Sequence, residues 1–228
     1  MPLVAPTVNL PRELAGLLRG VASFARGLGG RPGTAPSPRS VLVLPGLLTG
    51  DGSTAALRHF LRRRGHEVFG WGLGLNQGNL RRLVPLVRER IAELAQQVGG
   101  RIHLVGWSLG GLLAREALRL DASQVAGLVT LGTPLVGGPR YTVAAGYYRA
   151  RGLNLAQVER EVARKLKQRL LVPISVVYSK RDSVVAWRAC LDPNPQNDVT
   201  HFEVDATHGE MAFHPRVLRL VAERLERL

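Results

Sequence analysis

Residues 101–120 have the sequence RIHLVGWSLGGLLAREALRL, and this stretch determines the fold that the chain can adopt. Its first seven residues form a short apolar run that is typical of a buried strand, whereas leucine and alanine recur at helical spacing from Leu109 onward. We therefore predict a strand and a helix joined by a sharp turn at Ser108. Gly106 and Gly110 flank this serine at two residues' distance and allow neighbouring backbones to approach where a side chain would clash.

This turn would place Ser108 at the carboxyl end of a strand, where a nucleophile is accessible. A hydroxyl becomes a good nucleophile when a base takes its proton and when donors stabilise the developing oxyanion. The backbone N–H of Leu109 is one candidate donor, because the first amides of a helix have no partner within the helix and lie at its positive end. The alternative is an ordinary glycine-rich turn between strand and helix.

The rest of the chain alternates between short apolar runs and helical patterns. Because helices separate successive strands, right-handed crossovers and a mostly parallel sheet of about six strands, flanked by helices, are the simplest topology. The predicted strands are 41–45, 67–73, 101–107, 125–132, 174–179 and 201–204, and the predicted helices include 54–64, 80–98 and a last helix after Pro215.

A glycine-rich loop, residues 46–53, follows the first predicted strand. In acyl-transfer folds of this layout, the loop after an early strand supplies the second backbone donor of the oxyanion hole, which points to Leu47. An ordinary turn between a strand and a helix is the alternative, since such loops are often rich in glycine.

The N-terminal part is predicted to stand apart from the main domain. Residues 10–28 carry leucine, valine and phenylalanine on one helical face and Arg12, Arg19 and Arg26 on another, which indicates an amphipathic helix. Residues 29–38 are rich in glycine and proline and indicate a linker, so that 39–228 would form the main domain. The helix is expected either to pack on this domain, to lie on an anionic membrane, or to close over a pocket.

About 38 residues separate two predicted strands between 135 and 172, which is too long for a plain loop. Asn154 and Gln157 are spaced as in a capping box and precede apolar residues at helical spacing. We interpret 135–172 as a small helical cap beside the active-site mouth, and an ordinary crossover helix is the alternative. The apolar side chains predicted to form an acyl pocket are those of Leu47, Leu48, Leu135 and Val136.

A serine nucleophile needs a histidine base, and we select His208. It lies in a short loop beyond the predicted strand 201–204, on the same side of the sheet as the turn at Ser108. The other histidines each have a structural explanation within or beside an element. These are His59, His66, His103, His201 and His214.

A carboxylate must hold the base in the required tautomer, and we select Asp182. It follows the predicted strand 174–179 directly, and the carboxyl ends of parallel strands converge at one edge of a sheet. The order serine, acid, histidine along the chain also matches this type of triad. Asp192, Asp198 and Asp205 remain alternatives.

Composition limits the other classes of function. The formal net charge of +14 would attract anionic lipid or nucleic acid, but the chain contains no recognisable nucleic-acid-binding module. The single cysteine, Cys190, excludes an internal disulfide and permits a reducing cytoplasmic setting. No apolar stretch approaches the roughly 20 residues of a membrane span. The predicted chemistry requires neither a metal nor a cofactor.

The chain resembles the α/β-hydrolase family, and within it small bacterial esterases and lipases, over residues 40–228. The resemblance is carried by Gly106–Gly110, by Leu131-Gly-Thr-Pro134, by Asp182-Ser-Val-Val185 and by Thr207-His-Gly209, in that order. It implies an α/β-hydrolase fold and a triad of Ser108, Asp182 and His208, with Leu47 and Leu109 as backbone donors. Two positions differ, because many relatives have His-Gly where this chain has Pro45-Gly46, and lipases often have His at the position of Leu135.

These patterns predict a serine hydrolase that cleaves carboxylic esters of small molecules or lipids through an acyl-enzyme. The same triad would also serve an acyltransferase or a thioesterase. A non-catalytic binding module of the same fold belongs to a different class of function, and nucleic-acid binding rests on charge alone.

Overall fold

In the computed structural model, the described part of the chain comprises residues 3–7, 9, 11–13, 15–16, 35 and 37–228. It contains one sheet of six strands, and every pair of neighbouring strands is parallel. The strand order is β2-β1-β3-β4-β5-β6. The strands are β1 (Ser40–Leu44), β2 (Glu67–Gly70), β3 (Ile102–Trp107), β4 (Val125–Leu131), β5 (Ile174–Tyr178) and β6 (Val199–Glu203).

Helices connect most of these strands and cover both faces of the sheet, whereas the connection from β5 to β6 contains only a 3-10 segment, Trp187–Cys190. They are α1 (Ala55–Arg63), α2 (Leu80–Val98), α3 (Leu109–Leu120), α4 (Ala145–Ala150), α5 (Leu155–Leu166) and α6 (Pro215–Arg227). The side chain of Asn79 caps α2 by accepting a hydrogen bond from Arg82 N, and the helix ends at Gly99 in the left-handed conformation. Short 3-10 segments also lie in several of the connections between strands and helices.

Alternate strand residues fill two separate halves of the core. Leu42 and Leu44 of β1 pack in the half that contains α2 and α3. Val41 and Val43 pack on the other face, in the half that contains α1 and α6. Both faces of the sheet are therefore covered at its centre, which explains why β1, β3, β4 and β5 are largely apolar, whereas the edge strands β2 and β6 are more exposed.

The predicted mostly parallel sheet of about six strands is confirmed, and only some of its ends differ. The second strand ends at Gly70 and not at residue 73, because the amides of Trp71 and Gly72 donate to the carboxylate of Asp51 at 2.9 and 3.1 Å instead of continuing the sheet. The last strand begins at Val199 and not at His201, since Val199 is already in register with Ile174 of β5.

The segment between β4 and β5, which we interpret as a cap, contains helices α4 and α5. Asn154 caps α5, and its side chain accepts a hydrogen bond from Gln157 N at 3.1 Å. Lys165 of α5 forms an ion pair of 2.6 Å with Glu116 of α3, which ties this segment to the body of the domain.

The predicted N-terminal helix, 10–28, and the predicted linker, 29–38, lie largely outside the described residues. Within this region, residues 11–13 and 15–16 are helical. Across the described part of the chain, none of the helices combines the length and the apolar character needed to cross a membrane.

Candidate active site

Ser108 lies between the last residue of β3 and the first residue of α3, as the sequence predicts. Its backbone has φ 54° and ψ −122°, a conformation that non-glycine residues rarely adopt. Two hydrogen bonds hold it there, because Ser108 N donates to Leu131 O at 2.7 Å and Thr133 Oγ1 donates to Ser108 O at 2.9 Å. A strained serine between a strand and a helix is the geometry of a nucleophile elbow.

The glycines of this turn are needed for close packing. A Cβ atom on Gly110 would lie 2.3 Å from Leu44 O of the neighbouring strand, and one on Gly106 would lie 2.3 Å from the Cα atom of Gly111. These neighbours are backbone atoms that cannot rotate away. Helix α3 can therefore approach β1 and β3 only because no side chain is present at either glycine.

His208 and Asp182 come together at the carboxyl edge of the sheet. Nδ1 of His208 lies 2.7 Å from Oδ2 of Asp182, and both side chains are buried. Since a carboxylate can only accept, Nδ1–H is the donor and Nε2 is left as the free nitrogen of the imidazole. Oδ1 of Asp182 accepts the amides of Val184 and Val185 at 2.8 and 2.7 Å, so the carboxylate is fixed on both sides.

The surroundings of His208 favour the charged imidazolium. Burial opposes this charge, but the carboxylate of Asp182 and, to a smaller extent, that of Glu13 outweigh burial, and together they raise the pKa of His208. The ring of Trp107 lies 5.8 Å from the imidazole, and its Nε1 donates to His208 O at 3.2 Å. These contacts fix both the ring and the backbone of the histidine.

The alternative acids are engaged elsewhere or are distant from the imidazole. Asp192 forms a buried ion pair of 2.7 Å with Arg115, and Asp205 forms a pair of 2.9 Å with Arg181 at the surface. Asp198 lies beside the opposite end of β5, where its backbone carbonyl accepts from Ile174 N. Among these aspartates, the structure therefore brings only Asp182 to His208.

Most of the alternative histidines have structural hydrogen bonds. His66, His201 and His214 each accept a backbone amide, from Arg39, Asp192 and Arg216 respectively. His103 is buried within β3, where burial lowers its pKa to about 4. His59 lies on α1, on the face of the sheet opposite α3.

Both predicted oxyanion donors lie beside Ser108. A Cβ on Gly46 would be 3.4 Å from Cβ of Ser108, which places the loop that begins there against Ser108. The amides of Leu47 and Leu109 donate to no acceptor within the described part of the chain. Leu48 has a positive φ of 56°, and this backbone strain belongs to the same loop.

Asn76 holds this loop in place, and sequence reasoning did not identify it. The residue is fully buried, and its Nδ2 donates to Pro45 O at 2.9 Å. Its backbone carbonyl accepts Leu48 N at 2.7 Å, while its own amide donates to Thr49 O at 2.9 Å. An asparagine in a loop with neighbouring glycines indicates a turn, and nothing in the pattern identifies the strand end that it reaches.

A cavity of about 1130 Å³ opens beside Ser108 and His208, and both residues line it. The segment that contains α4 and α5 forms one wall, and α2 and α3 contribute to the others. Apolar side chains provide most of the lining surface, and they include Leu47, Leu48, Leu80, Val84, Leu109, Leu112, Val143, Leu153, Val158, Val162 and Val184. Charged side chains also line the cavity, and these are Arg81, Glu116, Arg119, Arg151, Glu161, Arg164 and Lys165.

Two residues predicted for the acyl pocket lie elsewhere. Leu135 is 1% exposed and belongs to the core, and Val136 packs against the same core cluster. Both amides donate to the carbonyl oxygen of Ala189, at 2.7 and 2.9 Å, which directs this segment away from the cavity. The prediction is therefore corrected, and Leu47 and Leu48 are the residues of that set that line the cavity.

Tyr148 of α4 is a buried residue that lines the cavity. Its hydroxyl has no hydrogen-bond partner in the part of the chain that the structure describes. A Cβ on Gly78 would lie 2.5 Å from this hydroxyl and 2.8 Å from Cδ1 of Leu47, so the hydroxyl is close to the oxyanion loop. Burial raises the pKa of Tyr148, and its hydroxyl is therefore a donor at neutral pH.

Comparison with known families gives the context of this geometry. The model of the alpha/beta hydrolase family matches residues 32–223. The chain belongs to the α/β-hydrolase family. The match includes the strand–serine–helix turn as well as the segments that carry Asp182 and His208. Curated protein sequences yield no match to the chain.

Several solved structures of this family have a similar fold. A monoacylglycerol lipase of Paleococcus ferrophilus has 16% identity and a TM-score of 0.58, with 86% of this chain and 96% of that chain covered. A Bacillus licheniformis lipase has 14% identity and a TM-score of 0.64, with the same coverage. For the carboxylesterase CesB of Bacillus subtilis, identity is 13%, the TM-score is 0.56, and coverage is 92% and 97%. At these identities the likeness concerns the fold.

Proposed function

We propose that this hydrolase cleaves carboxylic esters, with Ser108 as nucleophile, His208 as base and Asp182 as the residue that orients the base. The observation that carries the proposal is the presence of a strained serine and an aspartate-bound histidine on the wall of one apolar cavity. The structural neighbours described as lipases and a carboxylesterase support the same class of substrate.

In the proposed reaction, Ser108 Oγ attacks the ester carbonyl carbon while His208 Nε2 takes the hydroxyl proton. The carbonyl oxygen becomes an oxyanion that accepts the amides of Leu47 and Leu109. The imidazolium then protonates the departing alkoxide, which leaves as the alcohol. Water attacks the acyl-enzyme with His208 again as base, and the acid is released with Ser108 regenerated.

The shape and lining of the cavity support an ester with an apolar acyl chain. The volume of about 1130 Å³ lies slightly above the usual range of small-molecule sites, about 300 to 1,000 Å³, and apolar side chains from α2, α3 and the segment of α4 and α5 face it. The buried hydroxyl of Tyr148 offers a donor to a polar atom of the substrate near the oxyanion loop. A reducing cytoplasmic setting, which the buried single cysteine permits, is part of the same proposal.

A series of nitrophenyl esters with increasing acyl length tests this function. The wild-type protein should hydrolyse them, with kcat/KM rising over short and medium chains as more apolar surface is buried in the cavity. Ser108→Ala should lose about six orders of magnitude in kcat. Hydrolysis that is equal in the wild type and in Ser108→Ala would reject the proposal.

Acyl transfer and thioester hydrolysis use the same triad and differ in the acceptor or in the leaving group. Product analysis in the presence of a competing alcohol separates them, because a transferase forms the new ester in preference to the free acid. Parallel assays with matched oxygen esters and thioesters show which leaving group the site prefers.

A further inference from the structure

The N-terminal segment, by which we mean the described residues among 9–16, contacts the two loops that carry the proposed base and acid. Its residue Glu13 extends its carboxylate to the loop after β5 and to the loop after β6. Oε1 accepts Ser183 Oγ at 2.7 Å, Ser183 N at 3.2 Å and His208 N at 3.4 Å. Oε2 accepts Gly209 N at 3.1 Å.

We propose that Glu13 is a positioning residue, which joins the loop of Asp182 to the loop of His208 and holds the imidazole in the orientation that catalysis requires. This inference rests on the proposed ester hydrolysis, because it concerns the same base. It also assigns a role to the N-terminal segment, which packs against these two loops at the carboxyl edge of the sheet.

The position of the carboxylate explains why it acts on both loops at once. Ser183 follows Asp182 directly, and Gly209 follows His208 directly, so each hydrogen bond is made next to a member of the triad. The carboxylate of Glu13 accepts hydrogen bonds from four donors, and its two oxygens have enough lone pairs for all four. These bonds outweigh the effect of burial and lower the pKa of Glu13, so it stays charged at neutral pH.

The charge of Glu13 also acts on the imidazole itself. Within the part of the chain that the structure describes, the carboxylates of Asp182 and Glu13 raise the pKa of His208 against the effect of burial. Glu210 lies in the same loop and accepts Thr207 N at 2.7 Å. Removal of the charge at Glu13 should therefore lower the pKa of His208, whereas loss of a purely structural contact would not.

A second residue shows how closely the segment is docked. Gly16 is buried, and a Cβ placed on it would lie 2.3 Å from Oγ1 and 2.8 Å from Cγ2 of Thr207, which directly precedes His208. A branched side chain at this position would displace the segment from the histidine loop. Gly16→Val therefore withdraws the carboxylate of Glu13 while its charge remains on the chain.

The effect should appear in turnover more than in substrate binding. Neither Glu13 nor Gly16 lines the cavity beside Ser108. A misplaced base raises the barrier of the chemical step, and a misplacement of about 1 Å can cost about 100-fold in rate. We expect kcat to fall at least tenfold in Glu13→Gln and in Gly16→Val, with KM within about twofold of the wild type.

The test compares full-length variants by ester hydrolysis and by NMR titration of the His208 imidazole, assigned with His208→Gln. Glu13→Gln keeps the shape and an amide oxygen in place of Oε1 but loses the charge. Glu93→Gln makes the same charge change on an exposed residue of α2 and is the matched control. Arg12→Ala changes an exposed neighbour of Glu13 in the same segment.

The expected result is a lower kcat in Glu13→Gln and Gly16→Val, a lower pKa of His208 in Glu13→Gln, and wild-type values in both controls. Wild-type kcat and wild-type His208 titration in Glu13→Gln would overturn the inference, even if its melting temperature falls. An inactive wild-type protein would count against the proposed function alone, because the titration reports on Glu13 without substrate.

Discussion

Nδ1 of His208 lies 2.7 Å from Oδ2 of Asp182, and the other oxygen of that carboxylate accepts two backbone amides of its own loop. The aspartate is thus bound on both sides before any substrate arrives. The imidazole is therefore held in one orientation, with Nδ1 bound to the carboxylate and Nε2 as its other nitrogen. The positions of two loops that follow neighbouring strands thus determine the tautomer of this imidazole.

Asp182→Asn should reduce kcat by about four orders of magnitude, because an amide in this place can donate to Nδ1 and thereby select the wrong tautomer. Steady-state hydrolysis of a nitrophenyl ester measures the loss. Asp205→Asn is the matched control, since this residue is close to His208 in sequence but forms a surface pair with Arg181. An equal loss in both variants, or no loss in Asp182→Asn, would contradict the assignment.

The acidic limb of the pH profile of ester hydrolysis should have its midpoint above the usual pKa of a histidine, about 6.5. The base must be neutral to take a proton, and its carboxylate neighbours raise the pKa of His208. Activity should therefore rise with pH through this higher value. The dependence of kcat/KM on pH measures the pKa in the free enzyme. An acidic limb below the usual histidine value would show that the imidazole is not the titrating base or that its surroundings differ.

Gly110→Ala should destabilise the protein by about 3 kcal/mol, because the new Cβ would lie 2.3 Å from Leu44 O and overpack a rigid contact. Thermal or urea unfolding measures the change. Gly146→Ala is the matched control, since a Cβ there meets nothing within 4 Å in helix α4. It should stabilise by about 0.5 to 1 kcal/mol. Equal stability of Gly110→Ala and the wild type would contradict the close contact between Gly110 and the backbone of β1.

The buried His103 should make the fold sensitive to acid. Burial is the largest cause that lowers its pKa, to about 4, whereas in the unfolded chain the value would be near 6.5. The unfolded state therefore binds a proton that the folded state excludes, and stability falls as pH decreases through this window. Between pH 7 and pH 5, this residue should lower the free energy of unfolding by about 2 kcal/mol.

His103→Leu removes this contribution, and the comparison uses urea unfolding at both pH values. The difference in unfolding free energy between pH 7 and pH 5 should be smaller in the variant than in the wild type by about 2 kcal/mol. The same pH dependence in both proteins would mean that another group accounts for the acid sensitivity.

The sequence was sufficient to predict the sheet and the sharp turn at Ser108, because both depend on local patterns. Continuous apolar runs indicate strands buried on two faces, and helical spacing after Ser108 fixes the turn between β3 and α3. The pairing of Asp182 with His208 was also predictable, since the carboxyl ends of parallel strands meet at one edge. Asp192 could be set aside only when the structure showed its pair with Arg115.

The supporting residues could not be predicted, because their contacts join positions distant in sequence. Asn76 reaches Pro45, 31 residues earlier, and Glu13 reaches Ser183, 170 residues later. Neither has a periodic pattern or a motif that names its partner. The error at Leu135 has a similar origin, since an apolar residue after a strand is compatible with both a pocket and a core. The burial of its side chain in the core decides between them.

The most direct test of the account is covalent labelling with a fluorophosphonate, followed by intact-mass measurement and peptide mapping. The account predicts one adduct, located on Ser108, that is absent in Ser108→Ala and forms far more slowly in His208→Gln. Failure of the wild-type protein to be labelled, or an adduct on another residue that persists in Ser108→Ala, would contradict the claim that Ser108 is an activated nucleophile.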